Sequence, residues 1–451
     1  MTRTHLLALV VLSVLGACNT TVRNTTETIG GSTPSDTAPA ARPITGRDVG
    51  AAPDLPEPNA TTRGTKFANV VGWSGDEKPK ALPGFTVMLF ADSLKHPRWL
   101  YVLPNGDVLV AESRTPAPDR LPAEVRKQLV AAGTFGPSAN RISRLRDKDG
   151  DGRAEVRETF LEKLNQPFGM LALGNAFYVG NTDALVRYPF DSAQGKVTGP
   201  GKAILDLPAG GYNNHWTRNV VANQDGSKLY VTVGSGTNVD QEKVDRQDKR
   251  RAAILEVDPD GSNMRVFASG LRNPNGLDWE PTSRTLWTAV NERDELGDEL
   301  APDYITGVRE GAFYGWPFAY WGRHEDPRLK GQAPELVAKA VAPDFATGAH
   351  TASLGLVFGE GLKFPERYQH GAFIGQHGSW NRSQLTGYRV AFVPFDGGRP
   401  SGGMEEFLGG FIADSVTGAV RGRPVGLAVA RDGSLLVADD AGNRIWRISA
   451  N

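Results

Sequence analysis

Six times along this chain of 451 residues, histidine, arginine or amide side chains stand just ahead of a short apolar strand. They are Lys95, His96 and Arg98; Asn165 and Gln166; His215 and Arg218; Arg272 and Asn273; His350; and Arg421 with Arg423. Guanidinium forks match carboxylate and phosphate geometry, so a recurrent set of this kind points to a polar, anionic ligand. A neutral imidazole, with an ordinary pKa of about 6.5, takes a proton from an alcohol at neutral pH better than a lysine or an unperturbed carboxylate. The competing explanation is that single arginines pair with acids of neighbouring elements.

A second chemistry is written in residues 147–158, DKDGDGRAEVRE. Asp147, Asp149 and Asp151 take positions one, three and five of a calcium loop, Gly152 the sharp turn, Arg153 the carbonyl position and Glu158 the last. The flanks, RISRL and the run from Val156 to Leu161, read as strands and not as EF-hand helices. The expectation is a calcium staple in a hairpin turn, the alternative an acidic turn with no ion.

The elements that must position these residues recur with them. The copies begin at Pro97 (PRWLYVLPNGDVLVAES), Pro167, Thr217, Pro274, Leu354 and Pro424. In each, an apolar strand, a turn and a second apolar strand follow one another, and Asn-Gly or Asp-Gly at the turn is a strong hairpin signal. Further strands follow several copies, among them RISRLRD, ALVRYPF, AAILEVDPDG, YRVAFVPF and NRIWRISA. Six copies of three or four strands predict an all-β chain, a six-bladed β-propeller. The segment FTVMLFA near residue 85 has no hairpin partner of its own and is expected to close the ring on the last blade. Two separate β-sandwiches would need a mid-chain linker, and none is visible. In a propeller the residues ahead of the innermost strands converge at one mouth of the channel.

Composition narrows the function. Lys and Arg number 50 against 51 Asp and Glu, so there is no footprint for nucleic acid or an anionic membrane. The 53 glycines and 30 prolines fit many short strands better than helices. Residues 1–17 read as a secretion signal, too short to span a bilayer. Leu15, Gly16, Ala17 and Cys18 resemble a lipobox, and Cys18 is the only cysteine. The expectation is a lipid anchor at Cys18, with Asn19 pointing to the outer membrane of a periplasm. Residues 18–65, rich in Thr, Ala, Pro, Gly and Ser, read as a disordered tether, and residues 66–451 as the propeller.

GLRNPNGL from Gly270, NERDELGDEL from Asn291, GAFYGWP from Gly311, NNHWTRNVVANQDGSKLYVTVGS from Asn213 and GQHGSWNR from Gly375 resemble the soluble quinoprotein sugar dehydrogenases, in their sorbosone dehydrogenase-like branch. The resemblance spans nearly everything from residue 82. It implies a six-bladed propeller holding pyrroloquinoline quinone and Ca²⁺ at one mouth and oxidising a sugar hydroxyl, with electrons leaving to an unidentified acceptor. Carried over, it makes His215 the catalytic base and Arg272 the arginine beside the reactive carbonyl. It makes Gln166, Asn273 and Arg423 cofactor contacts and Arg382 a basic contact of the fifth blade. Asn275 stands where the glucose enzymes have Gln. Main-chain carbonyls at Arg293 and Asp294 are the implied Ca²⁺ ligands, although the glucose enzymes have Gly-Pro there, and the His215 to Arg218 spacing is one residue shorter than theirs. Both departures weaken a claim to glucose more than the claim to the cofactor. A calcium-dependent propeller lactonase or esterase, and a non-catalytic binding propeller, stay open as alternatives.

Overall fold

A strand covered by protein on both faces has to be apolar along its whole length and not only at alternate positions. The second strand of every repeated hairpin has that character. Val108–Glu112, Ala176–Gly180, Leu229–Val233, Leu286–Val290, Gly371–Gln376 and Leu435–Asp439 are buried at every residue. The computed structural model describes residues 42–59, 64–119, 121–210, 213 and 215–451. They form mostly β-sheet, with helix limited to α1 (Ala123–Ala131), Pro334–Lys339 and two single turns.

Among the described residues there are six antiparallel sheets of four or more strands, arranged in chain order. The repeated hairpin supplies strands one and two of each, beginning at Pro97, Met170, Val220, Pro274, Ser353 and Pro424. The first strand of each sheet lies against the first strand of the next, and that of the sixth returns to the first. Glycines permit this approach: a Cβ on Gly276 would sit 2.6 Å from the backbone nitrogen of Leu356 in the next sheet. Between each consecutive pair of sheets lies a separate apolar core. Outer strands such as Val156–Leu161 are largely solvent-facing.

The segment Phe85–Ala91 pairs antiparallel with Arg444–Ala450 as the fourth strand of the sixth sheet, as its lack of a local partner predicted. The tether expectation needs correction. Arg42 to Asn59 lies on the sheets: Val49–Gly50 adds an edge strand to Phe345–Ala349, Ile44 N donates to Met404 O at 2.8 Å, and Asn59 N donates to Leu296 O at 2.8 Å. Composition underrates this segment because its stability comes from pairing with a pre-existing sheet edge and not from a core of its own. Residues 1–41, with the leader and Cys18, lie outside the described residues. No helix among the described residues is long and apolar enough to cross a membrane.

Asp48 holds this strap. Its buried carboxylate accepts the N–H of Ala349 at 2.7 Å and lies 3.5 Å from Arg382. Asp48→Ala leaves that amide without its acceptor and is expected to cost about 1–3 kcal/mol in denaturant unfolding. A freely moving tether would show no change.

Candidate active site

The loops that enter the first strands meet around a cavity of about 360 Å³. His215 enters it from the loop before Val220–Ala222. Arg218, fully buried behind, fixes that loop by donating to His215 O and Thr217 O at 2.8 Å and to Pro208 O at 2.6 Å. His215 Nδ1 lies 2.8 Å from Ser235 O and 2.9 Å from Ser235 Oγ. Because Ser235 Oγ spends its own hydrogen on Thr237 O, Nδ1 is the protonated nitrogen and Nε2 carries the lone pair. Burial, then the charge of Arg272, holds the imidazole pKa well below its ordinary value, so the ring is neutral at neutral pH. A Cβ on Gly234 would lie 2.5 Å from His215 Cβ and 2.6 Å from Asn273 Oδ1, so only glycine leaves space for both side chains.

Ser235 also ties His215 to Arg272, because its N–H donates to Arg272 O at 2.8 Å. Arg272 is buried and oriented almost entirely by neutral acceptors: Asn291 O at 3.0 Å, Glu292 O at 2.6 Å, Asn238 O at 3.3 Å and Asn238 Oδ1 at 2.9 Å. The Asp294 carboxylate lies 3.7 Å away and is shared with His350, whose Nδ1 approaches it at 3.1 Å. Burial opposes charge on His350, but Asp294 and the Gly297 carbonyl outweigh it and raise its pKa. Thr217 Oγ1 donates to Asn275 Oδ1 at 2.6 Å, and Asn275 Nδ2 donates to Asn273 O at 3.1 Å, locking the third and fourth entry loops together.

Across the cavity a second cluster surrounds Asp440. Arg98 Nη1 and His377 Nε2 donate to its Oδ2 at 2.5 and 2.8 Å, and His96 Nδ1 donates to its main-chain oxygen at 3.1 Å. Burial pushes His96 and His377 down to about 3, so both are neutral at neutral pH. Burial alone would raise the Asp440 carboxyl, yet these neighbours keep it well below the usual range. Arg114 also feels the Asp440 carboxylate, and Arg423 stands close enough to act on Arg98, so guanidiniums outnumber carboxylates in this cluster. Arg98 Nε, Asp440 Oδ1 and Asn273 Oδ1 are buried without a hydrogen-bond partner among the described residues. Surplus positive charge with orphaned polar atoms at a cavity fits a polyanionic ligand bearing both acceptors and donors.

Of the residues expected from sequence, His215, Arg272, Asn273, Arg423 and Asp294 line the cavity, as do His96 and Arg98. Four others are placed differently. Gln166 has a left-handed backbone, φ +48°, and its amide donates to Arg114 O at 3.1 Å. Arg382 donates to Asp298 O at 2.5 Å and pairs with Asp48, outside the cavity lining. The Arg293 side chain pairs with Asp326 at 2.7 Å and its Nε donates to Asp294 O at 2.9 Å, while the side chains of Asp294 and Glu295 line the cavity. Arg421 turns outward to Glu77. Arg423 lines the cavity but spends most of its fork on His377 O, Gly378 O, Ala132 O and Thr134 Oγ1. Sequence reasoning missed Ser235, Asn238, His377 and Asp440. His377 stands inside GQHGSWNR and Asp440 ends the sixth copy, but neither occupies the recurrent position.

A model of the TrAA12-like family matches residues 79–303 and 333–451. The chain belongs to the TrAA12-like family. It is 30% identical over 302 residues to an uncharacterised protein of Borreliella burgdorferi, covering 64% of this chain and 77% of that one. It is 28% identical over 197 residues to the aldose sugar dehydrogenase YliI of Escherichia coli K12, covering 40% of this chain and half of that one. Among solved structures, the holo pyranose dehydrogenase PQQ domain of Coprinopsis cinerea matches with a TM-score of 0.67 at 20% identity, over 85% of this chain and 100% of that one. A calcium structure of the Trichoderma reesei family AA12 enzyme matches with a TM-score of 0.67 at 18% identity, over 86% and 100%. The resemblance read from sequence and the family model therefore agree.

The acidic turn differs from the expected loop in this TrAA12-like chain. Asp147, Asp149, Asp151 and Glu155 each bring one ligand oxygen to within 4.8 Å of the others, whereas Glu158 sits on a strand directly opposite Arg144 and pairs with it. An EF-hand delivers position twelve from a helix, and a strand here carries that residue away. Arg153 keeps its place in the turn, its N–H donating to Asp151 Oδ1 at 2.8 Å. Glu155→Gln is expected to weaken Ca²⁺ binding by this turn, followed by calorimetry, while Glu158→Gln leaves it unchanged. Equal effects of the two changes would reject the revised ligand set.

Proposed function

We propose that this chain is a six-bladed β-propeller that oxidises an aldose or related sugar alcohol with pyrroloquinoline quinone and Ca²⁺. The reading rests on one observation above all: Ser235 fixes the tautomer of His215 and the backbone of Arg272 together, at a cavity with surplus guanidinium charge. The closed succession of six sheets supports the blade number. The residues suit the cofactor: Arg98 would face its carboxylates, Asn273 would offer an acceptor and Arg272 would face a quinone oxygen. Asp294 and Glu295 are the carboxylates available to a Ca²⁺. When bound, the quinone accepts hydride and the cation acts as a Lewis acid. His215 Nε2 takes the proton of the sugar hydroxyl as the carbon gives up hydride, and Arg272 stabilises the negative charge that develops on oxygen. Turnover would need a separate electron acceptor. Export and a lipid anchor at Cys18, in the periplasm at the outer membrane, complete the proposal and rest on the LGAC sequence at residues 15–18.

His215→Gln removes the proton acceptor and is expected to lower turnover by about 10²-fold or more, with quinone binding retained by absorbance titration. Arg272→Ala is expected to need more quinone for reconstitution and to remain slow at saturation. The sign of the His215 shift sets the pH profile: with a pKa well below 6.5, the base stays unprotonated through mildly acidic pH, so the acid limb of kcat/KM falls well below pH 6.5. Dye reduction with aldoses and polyols measures all three. A quinone-free parent in the presence of Ca²⁺ and excess cofactor, or full activity of His215→Gln, would defeat the reading.

A further inference from the structure

The cavity has two unlike walls. One carries His96, Arg98, His215, Arg272, Asn273 and Asp294. The other is built by the segment between the second and third strands of the first sheet, where Leu121, Val125 and Leu129 line the same cavity. Val125 and Leu129, four residues apart, share one face of α1, and Leu121 stands two residues ahead of its first turn. Ordinarily such a stripe faces a core. Here no residue of α1 is buried, and all three side chains are only half-buried. Folding therefore gives no account of the stripe, whereas a ligand in the cavity does. Trp380, 38% exposed, stands on the cavity as well and stacks on Phe67 at 6.0 Å. The wall is fixed in place, since Arg423 holds Ala132 O and Thr134 Oγ1 at 3.1 Å and Gly136 N donates to Thr115 O at 3.0 Å.

We propose that Leu121, Val125 and Leu129 are specificity residues that select a reducing sugar bearing an apolar substituent at the end remote from the oxidised carbon. The inference rests on the aldose dehydrogenase reading above. A sugar hydroxylated all round would press hydroxyls against a surface without donors or acceptors, which costs their hydrogen bonds to water. An apolar group at the same place removes its own surface and that of the wall from solvent. The polar wall meanwhile addresses the reacting end. Discrimination of this kind raises affinity and kcat/KM for the substituted sugar without any change in the proton-accepting group.

The test uses the chain loaded with quinone and Ca²⁺ and two ligands that lack the anomeric hydroxyl and so do not react, 1,5-anhydro-D-glucitol and its 6-O-benzyl ether. Calorimetry is expected to show the benzyl ether binding about tenfold tighter or more. Leu121→Ser, Val125→Ser and Leu129→Ser combined should abolish that advantage, and the three positions are safe to change because the core does not use them. In parallel, kcat/KM for 6-O-benzyl-D-glucose relative to D-glucose should fall in the triple variant, with ferricyanide as acceptor. Equal binding of the two ligands by the parent, or an advantage retained by the variant, overturns the proposal. So does a variant whose only defect is slower reduction of an apolar quinone acceptor, because the wall would then serve the acceptor. If no aldose is oxidised but the wall-dependent binding advantage is present, the dehydrogenase reading fails while this assignment stands.

Discussion

The pairing of Phe85–Ala91 with Arg444–Ala450 is the constraint on which the remainder of the structure hangs. It joins one of the earliest long strands to the last strand of the chain and so completes a succession of six sheets. The core between the sixth and first sheets includes Phe90 and Ala91 of the earlier strand, packed with Leu436, Ala438 and Ile445 on one side and Leu100 and Val110 on the other. The cavity depends on the same event, since Asp440 and Arg423 come from the sixth sheet while His96 and Arg98 come from the first. Pairing between segments more than 350 residues apart is entropically demanding, and the six separate inter-sheet cores spread the compensation around the whole ring.

The electrostatics of the cavity follow from that convergence. The entry loops of the first, third, fourth and sixth sheets deliver polar groups to one small cavity. Histidines placed there lose their protons, because burial and nearby guanidiniums both work against a second positive charge. Arginines there turn to main-chain carbonyls instead of carboxylates, as Arg272 and Arg423 both do. A carbonyl orients a guanidinium without neutralising it, so the positive potential is preserved for a ligand. Asp440 is the exception, and it holds Arg98 still at the cost of one unit of that charge.

The repeated hairpins and the strand at residue 85 were legible because their signals are local: apolar runs, turn residues and a missing partner. His215, Arg272 and Asn273 were legible because they share one place in the repeat. Gln166 shares it too, yet a left-handed residue ahead of Pro167 sends its amide elsewhere, a backbone event invisible in side-chain spacing. The directions of the Arg382 and Arg293 side chains were not legible, because each answers to an acid contributed by another part of the chain, Asp48 and Asp326. Val49–Gly50 was hidden by composition, since an edge strand can borrow an existing sheet and needs few apolar residues of its own. Glu158 fits the spacing of a helical calcium loop and fails because the following element is a strand.

Helix α1 sits between two strands of one sheet, contributes no residue to any core and is fastened mainly at its C-terminal end. Its sequence is therefore nearly uncoupled from the stability of the ring. Mutations that would be purged from the second strands can accumulate here, so the same catalytic floor can be re-aimed at new compounds through changes in one short insert. Lineages of this fold are then expected to diverge in substrate range first at this insert, long before the residues around His215 begin to drift.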